Sequence, residues 1–150
     1  MVEPIALDIR IKDLFFDREV VKRAVDRAKR DVLSKAGAFI RQAARTSIRK
    51  RKGTSKPGQP PFSHEGSLRR LILFGYDRPA ESVVIGPVGF RSSHAPQTLE
   101  FGGVAEAPRW WRKKLKKKRI RIRPRAFMGP ALEKERDKLP AMWAGSVRSN

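Results

Sequence analysis

The sequence predicts an α+β domain: a small, mostly antiparallel sheet packed by one long N-terminal helix and a C-terminal helix, with extended basic loops. Three observations predict it. A stripe of small and apolar residues recurs at spacings of three and four after Asp17. Two β-rich runs are separated by a short polar turn. A period-two apolar pattern precedes the helix and another follows the turn region. The resulting order is β-α-ββ-β-α, on a single domain spanning residues 1–150.

The first strand rests on Ile5, Leu7, Ile9 and Ile11, which alternate with Ala6, Asp8, Arg10 and Lys12. Asp17 is positioned to cap the helix that follows. Val21, Val25, Ala28, Val32, Ala36, Phe39, Ala43 and Ser47 form its apolar stripe, while Lys22, Arg23, Arg27, Lys29 and Arg30 fall largely off it. One amphipathic helix is predicted over about residues 17–50. The polar, proline-containing stretch RKRKGTSKPGQPPF ends it and reads as an extended arm at about 50–66. LRRLILFGYD and ESVVIGPVGF predict a hairpin turning at Asp77-Arg78-Pro79-Ala80. QTLEFGG reads as a short helix or strand closed by Gly102 and Gly103. A second arm is expected at about 103–119, and RIRIRPRAF, with Ile120 and Ile122 between arginines, as a strand with one wet, cationic face. Pro130 suits the first turn of a last helix, with Leu132 and Leu139 on one side and Pro140 ending or kinking it.

Composition narrows the function classes. Of 150 residues, 39% are hydrophobic and 33% charged, so the core should be modest and much of the chain left to loops. The net charge is +20, and the run RWWRKKLKKKRIRIRPR (Arg109–Arg125) supplies +11 of it without one acid. Such a protein binds polyanions non-specifically at low salt. Cysteine is absent, which removes disulfides and thiolate metal sites and fits synthesis in the cytoplasm. The N-terminus mixes acids with short apolar alternation and does not read as a signal peptide. No apolar run reaches the ~20 residues of a membrane span.

A catalytic constellation is not visible, and the chain reads as no enzyme. His64 and His94 stand in loop-like contexts without metal-ligand spacing. Ser63, His64 and Glu65 are adjacent, and adjacent side chains cannot easily converge on one reacting atom. Gly53 and Gly58 have the outer spacing of a phosphate loop, but Gln59-Pro60 follow where Lys-Ser would be needed. Glu133 and Glu135 lie among lysines and read as a solvated face. No cofactor is expected. Constraint shows instead in Gly-, Pro- and Phe-containing stretches, which are turn and packing devices. Gly66, Gly86 and Gly102 read as turn or positive-φ glycines, Leu68, Phe101 and Phe127 as packing residues, and Glu100 as a local cap or pair.

These stretches, in this order, resemble the neck or tail-completion family of tailed bacteriophages, which includes lambda minor tail protein Z and similar head–tail joining proteins. The resemblance rests on the long Ala- and Arg-containing helix, SHEGSLRRLI, the hairpin ending SVVIGP, TLEFGG, and RPRAFMGPALEKE, covering about residues 30–139. Three features depart from the family pattern. His64-Glu65-Gly66-Ser67-Leu68 stands where an Asp-Thr-Gly-like turn is usual. Arg125-Ala126-Phe127 replaces Arg-Pro-Phe. The segment from Gly103 to Ile120 is longer and more basic.

The resemblance implies a non-enzymatic virion component, made in the bacterial cytoplasm and placed at the neck. It implies a cyclic homo-oligomer, with a hexamer favoured, between head-connector proteins and tail-terminator or tail-tube proteins. Packaged double-stranded DNA would pass through or stop near the ring. The competing reading is a non-specific nucleic-acid-binding protein, favoured by charge but lacking a recognisable recognition module. A membrane partner is disfavoured, because a helix made of the basic run would be cationic nearly all round. The contact residues expected on the basic arm are Trp110, Trp111, Lys113, Lys114, Lys116, Lys117, Lys118 and Arg119. The tryptophans are expected to fill a pocket on a neighbouring protein and the cations to meet its acids, with DNA phosphate as the second candidate.

Overall fold

The computed structural model describes residues 18–90, 94–111 and 114–147, with the backbone alone at 107–111 and 114–117. The strand expected at Ile5–Ile11 and the cap expected at Asp17 lie outside the described residues. The rest is an α+β fold. Helix α1 (Arg18–Ser47) is followed by the short α2 (Ser67–Arg70), strands β1 (Ile72–Asp77) and β2 (Ser82–Pro87), and helix α3 (His94–Phe101). Strands β3 (Gly103–Trp111) and β4 (Lys114–Ile122) then precede helices α4 (Met128–Arg136) and α5 (Leu139–Trp143).

α1 forms where the small and apolar stripe demands it, but its buried face drifts. Ala28, Val32 and Ala36 are buried as expected. Beyond them the buried line continues through Ile40, Ala44 and Ile48, while Phe39 stays 43% exposed. Steps of four from Ala36 follow one ridge of the helix, whereas Phe39, Ala43 and Ser47 begin from a step of three and fall on its flank. The core gathers Ile40, Ala44, Ile48, Leu68, Ile72, Phe127 and Ala131. It is thus built from α1, the α2–β1 segment and the start of α4.

β1 and β2 pair antiparallel from Ile72↔Pro87 to Asp77↔Ser82, with the expected turn between them. This hairpin lies close on α1 because Gly37 has no side chain. A Cβ there would stand 2.7 Å from Val83 Cγ2 and 2.9 Å from Phe74 Cδ2. Arg41 adds a tie by donating from Nε to the Ile72 carbonyl at 2.8 Å. At the turn, Lys29 Nζ meets Glu81 Oε2 at 2.8 Å. That hydrogen bond and charge hold the Lys29 ammonium above its ordinary pKa.

The second strand pair does not join the first. β3 and β4 form their own two-stranded antiparallel ribbon, in register from Gly103↔Ile122 to Trp111↔Lys114. The basic segment is therefore strand along most of its length, not only at its Ile120–Ile122 tail. Pairing neighbours in sequence closes the shortest loop and loses the least chain entropy.

Two further expectations change. The stretch at 50–66 is fastened to its own chain. Gly58 N donates to the Pro124 carbonyl at 3.0 Å and Ser63 N to the Arg49 carbonyl at 3.0 Å. Ser55 and Ser63 are buried. Pro140 opens a helix where it was expected to end or kink one. It lies in the first turn of α5, where the missing N–H costs nothing. Among the described residues, no helix is long and apolar enough to cross a membrane.

Candidate functional site

Two surfaces set this molecule apart, and one knot of residues joins them. The knot begins with Glu100, near the end of α3. Its Oε2 accepts hydrogen bonds from the backbone N–H of Phe127 at 2.8 Å and of Met128 at 3.1 Å. Its Oε1 accepts from Gly129 N–H at 2.8 Å. These are N–H groups at the N-terminus of α4, which has no side-chain cap of its own. A carboxylate here satisfies donors the helix leaves orphaned and meets the positive end of its dipole. A Cβ on Gly129 would sit 3.3 Å from Glu100 Oε1, so glycine leaves room for the approach. The cap expected of Glu100 is thus real but not local, since its partners lie 27 to 29 residues away.

Gly102 completes the knot. Its φ is +79°, and a Cβ there would press to 2.9 Å from Pro124 Cδ and 3.1 Å from the Ile122 carbonyl oxygen. Arg125 N–H donates to the Leu99 carbonyl at 2.7 Å. Its Nε donates to the Ser55 carbonyl at 3.1 Å. The stretches TLEFGG and RPRAFMGP therefore lock against each other, with the 50–66 loop packed on the same point. β3 leaves from this knot and β4 returns to it, so it is the root of the ribbon.

The ribbon is the first surface. Nine-residue strands at ~3.4 Å per residue carry its far end roughly 27 Å from the root. Trp110 and Trp111 are at that far end, opposite Leu115 and Lys114. Lys116 and Lys117 sit further back along β4, opposite Arg109 and Pro108. Lys118 and Arg119 are exposed, as are Arg121 and Arg123, which the sequence reading did not single out. Lys113 lies outside the described residues. Lys113 apart, the structure thus brings the expected contact residues onto one element. Glu106 approaches Arg119 at 4.0 Å with both side chains at least half exposed.

The second surface is an open apolar groove of roughly 780 Å3. α1 contributes Leu33 and Ile40, β2 contributes Val83 and Ile85, and Leu132 and Leu139 close the far wall. Phe101 stands on its rim and is 74% exposed. Phe101 is therefore not the core residue expected from the sequence. At the last position of α3 it points away from the body, and Phe127, 1% exposed, fills the core instead. Gly86 also needs correction. It is a strand residue without positive φ, and a Cβ there would meet nothing within 4 Å. Gly66 does take the left-handed conformation, at φ +80°, just before α2. Leu68 is buried in that helix.

His64 Nε2 lies 2.7 Å from the Gly53 carbonyl oxygen, which fastens the loop. Among the described residues, no group of three or more His, Asp or Glu is placed to hold a metal ion. Compared with protein-family models, with curated proteins and with solved structures, the chain matches none.

Proposed function

We propose that this chain is a structural virion protein of a tailed bacteriophage. It assembles as a cyclic homo-oligomer, with six copies favoured, at the neck between the head connector and the tail. One observation carries the reading: the long helix and three of the four short stretches behind the family resemblance converge on a single region that a lone subunit leaves uncovered. SVVIGP supplies Val83 and Ile85 to the apolar groove, TLEFGG supplies Phe101 to its rim, and RPRAFMGP supplies Phe127 and Met128 to its floor. A groove of this kind, flanked by exposed Phe101 and Leu132, suits the surface of a neighbouring copy. Burial between subunits also offsets the modest core of the single chain.

The second reading, a non-specific nucleic-acid-binding protein, draws on the chain's positive charge alone. It leaves the groove without a role.

Electron microscopy of assembled particles tests the proposal. The account expects a closed ring of this chain at the neck. It also expects heads and tails to accumulate unjoined when the chain is missing. One or two copies per neck, or joined particles lacking it, would sink the proposal.

A further inference from the structure

We infer that the β3–β4 ribbon binds the phosphate backbones of duplex DNA, without reading base sequence. This departs from the sequence-level expectation of an acidic protein partner, and it does not depend on the ring.

The described strands carry seven cations, Arg109, Lys114, Lys116, Lys117, Lys118, Arg119 and Arg121, against one acid, Glu106. The register sets Arg109 directly opposite Lys116 and leaves Glu106 opposite Arg119. Like charges across a ribbon repel, so this element is stabilised by counter-charge from outside. A second copy of the chain is a poor source. The strands hold a net +6 of the total +20, so +14 remains on everything else.

The pattern along β4 then separates DNA from an acidic protein. Lys117, Arg119 and Arg121 alternate with Lys114, Lys116 and Lys118, so both alternating sets of the strand are cationic. Duplex DNA carries one negative charge per ~1.7 Å of axis, denser than a folded acidic protein surface offers, and its major groove admits a two-stranded ribbon. Lysines predominate, and a compact ammonium suits phosphate without selecting a base. A-form RNA has a major groove too narrow for this insertion. The root supports the same use. Glu100, Gly102 and Arg125 tie the ribbon's base into the body, so the element projects from a fixed platform.

The experiment uses the full chain and a short fluorescent DNA duplex of arbitrary sequence, with anisotropy read across a salt series. Two triple variants remove equal charge. One is Lys118→Ala, Arg119→Ala, Arg121→Ala on the ribbon. The other is Lys22→Ala, Arg27→Ala, Arg30→Ala on the exposed face of α1. Circular dichroism melts check that both stay folded. The ribbon variant should lower the slope of log affinity against log salt by about three, roughly one per cation removed. The α1 variant should keep most of the slope. Replacing Lys116, Lys117 and Lys118 by Arg should keep binding, since positive charge is retained. Equal losses in both triple variants would mean diffuse attraction and overturn the proposal. So would binding of acidic polypeptide, poly-glutamate as probe, that outcompetes duplex DNA at equal charge and depends on the ribbon.

Discussion

Replacing Glu100 with alanine removes the one carboxylate that accepts from Phe127, Met128 and Gly129 N–H. Loss of a side-chain cap costs ~0.5–2 kcal/mol. Loss of a negative charge at a helix N-terminus adds ~0.3–1 kcal/mol. The Phe127 and Met128 hydrogen bonds are part-buried, so water replaces them poorly and the cost should fall in the upper range. The expected destabilisation is roughly 2–3 kcal/mol, or a melting temperature lower by about 4–12 °C for a chain of this size. Glu100→Gln keeps the shape and one acceptor oxygen but loses the charge, and should cost about half as much. Urea unfolding followed by circular dichroism, at one fixed protomer concentration, measures both variants. Hydrogen exchange supplies a local readout, since the Phe127–Gly129 amides should lose protection first. A Glu100→Ala chain within ~0.5 kcal/mol of the parent, with those amides still protected, would refute the cap and the root built on it.

Three further outcomes follow from the same geometry. Gly102→Ala combines a positive φ with a Cβ pressed against Pro124, so it should destabilise by at least about 1–2 kcal/mol; a neutral result by urea unfolding would contradict the close approach. Gly86→Ala should be neutral, or stabilising by up to ~1 kcal/mol, because the site is open and its backbone is ordinary strand; a marked loss of stability would revive the turn role. Phe127→Ala should cost ~3–5 kcal/mol as a core truncation, whereas Phe101→Ser should leave subunit stability nearly unchanged and weaken self-association in sedimentation. Equal unfolding costs at the two phenylalanines would undo their separation into core and rim.

How far the sequence alone carries depends on whether a signal is local. α1 and the β1–β2 hairpin were legible because periodicity and turn residues act over a few positions. Phe101 and Phe127 were not distinguishable, because both follow short Gly- or Pro-containing stretches and only tertiary packing decides which is buried. Glu100 reads as a local cap or pair, and nothing local points to partners in the last third of the chain. The ribbon was legible only where Ile120 and Ile122 alternate with arginine. Lysine has weak strand preference, and Pro108 removes a donor, so the remainder looked like an arm. The groove was hidden for a different reason. Leu33, Val83 and Leu132 come from separate elements, and each alone reads as ordinary core.

The central claim is that this chain is a ring-forming subunit. The native mass of the purified chain, measured alone and again with the adjoining head-connector and tail proteins, tests it most directly. The account predicts one closed stoichiometry, six copies favoured, in at least one of the two samples. A chain that stays monomeric in both, while binding DNA, would contradict it and leave the nucleic-acid reading in its place.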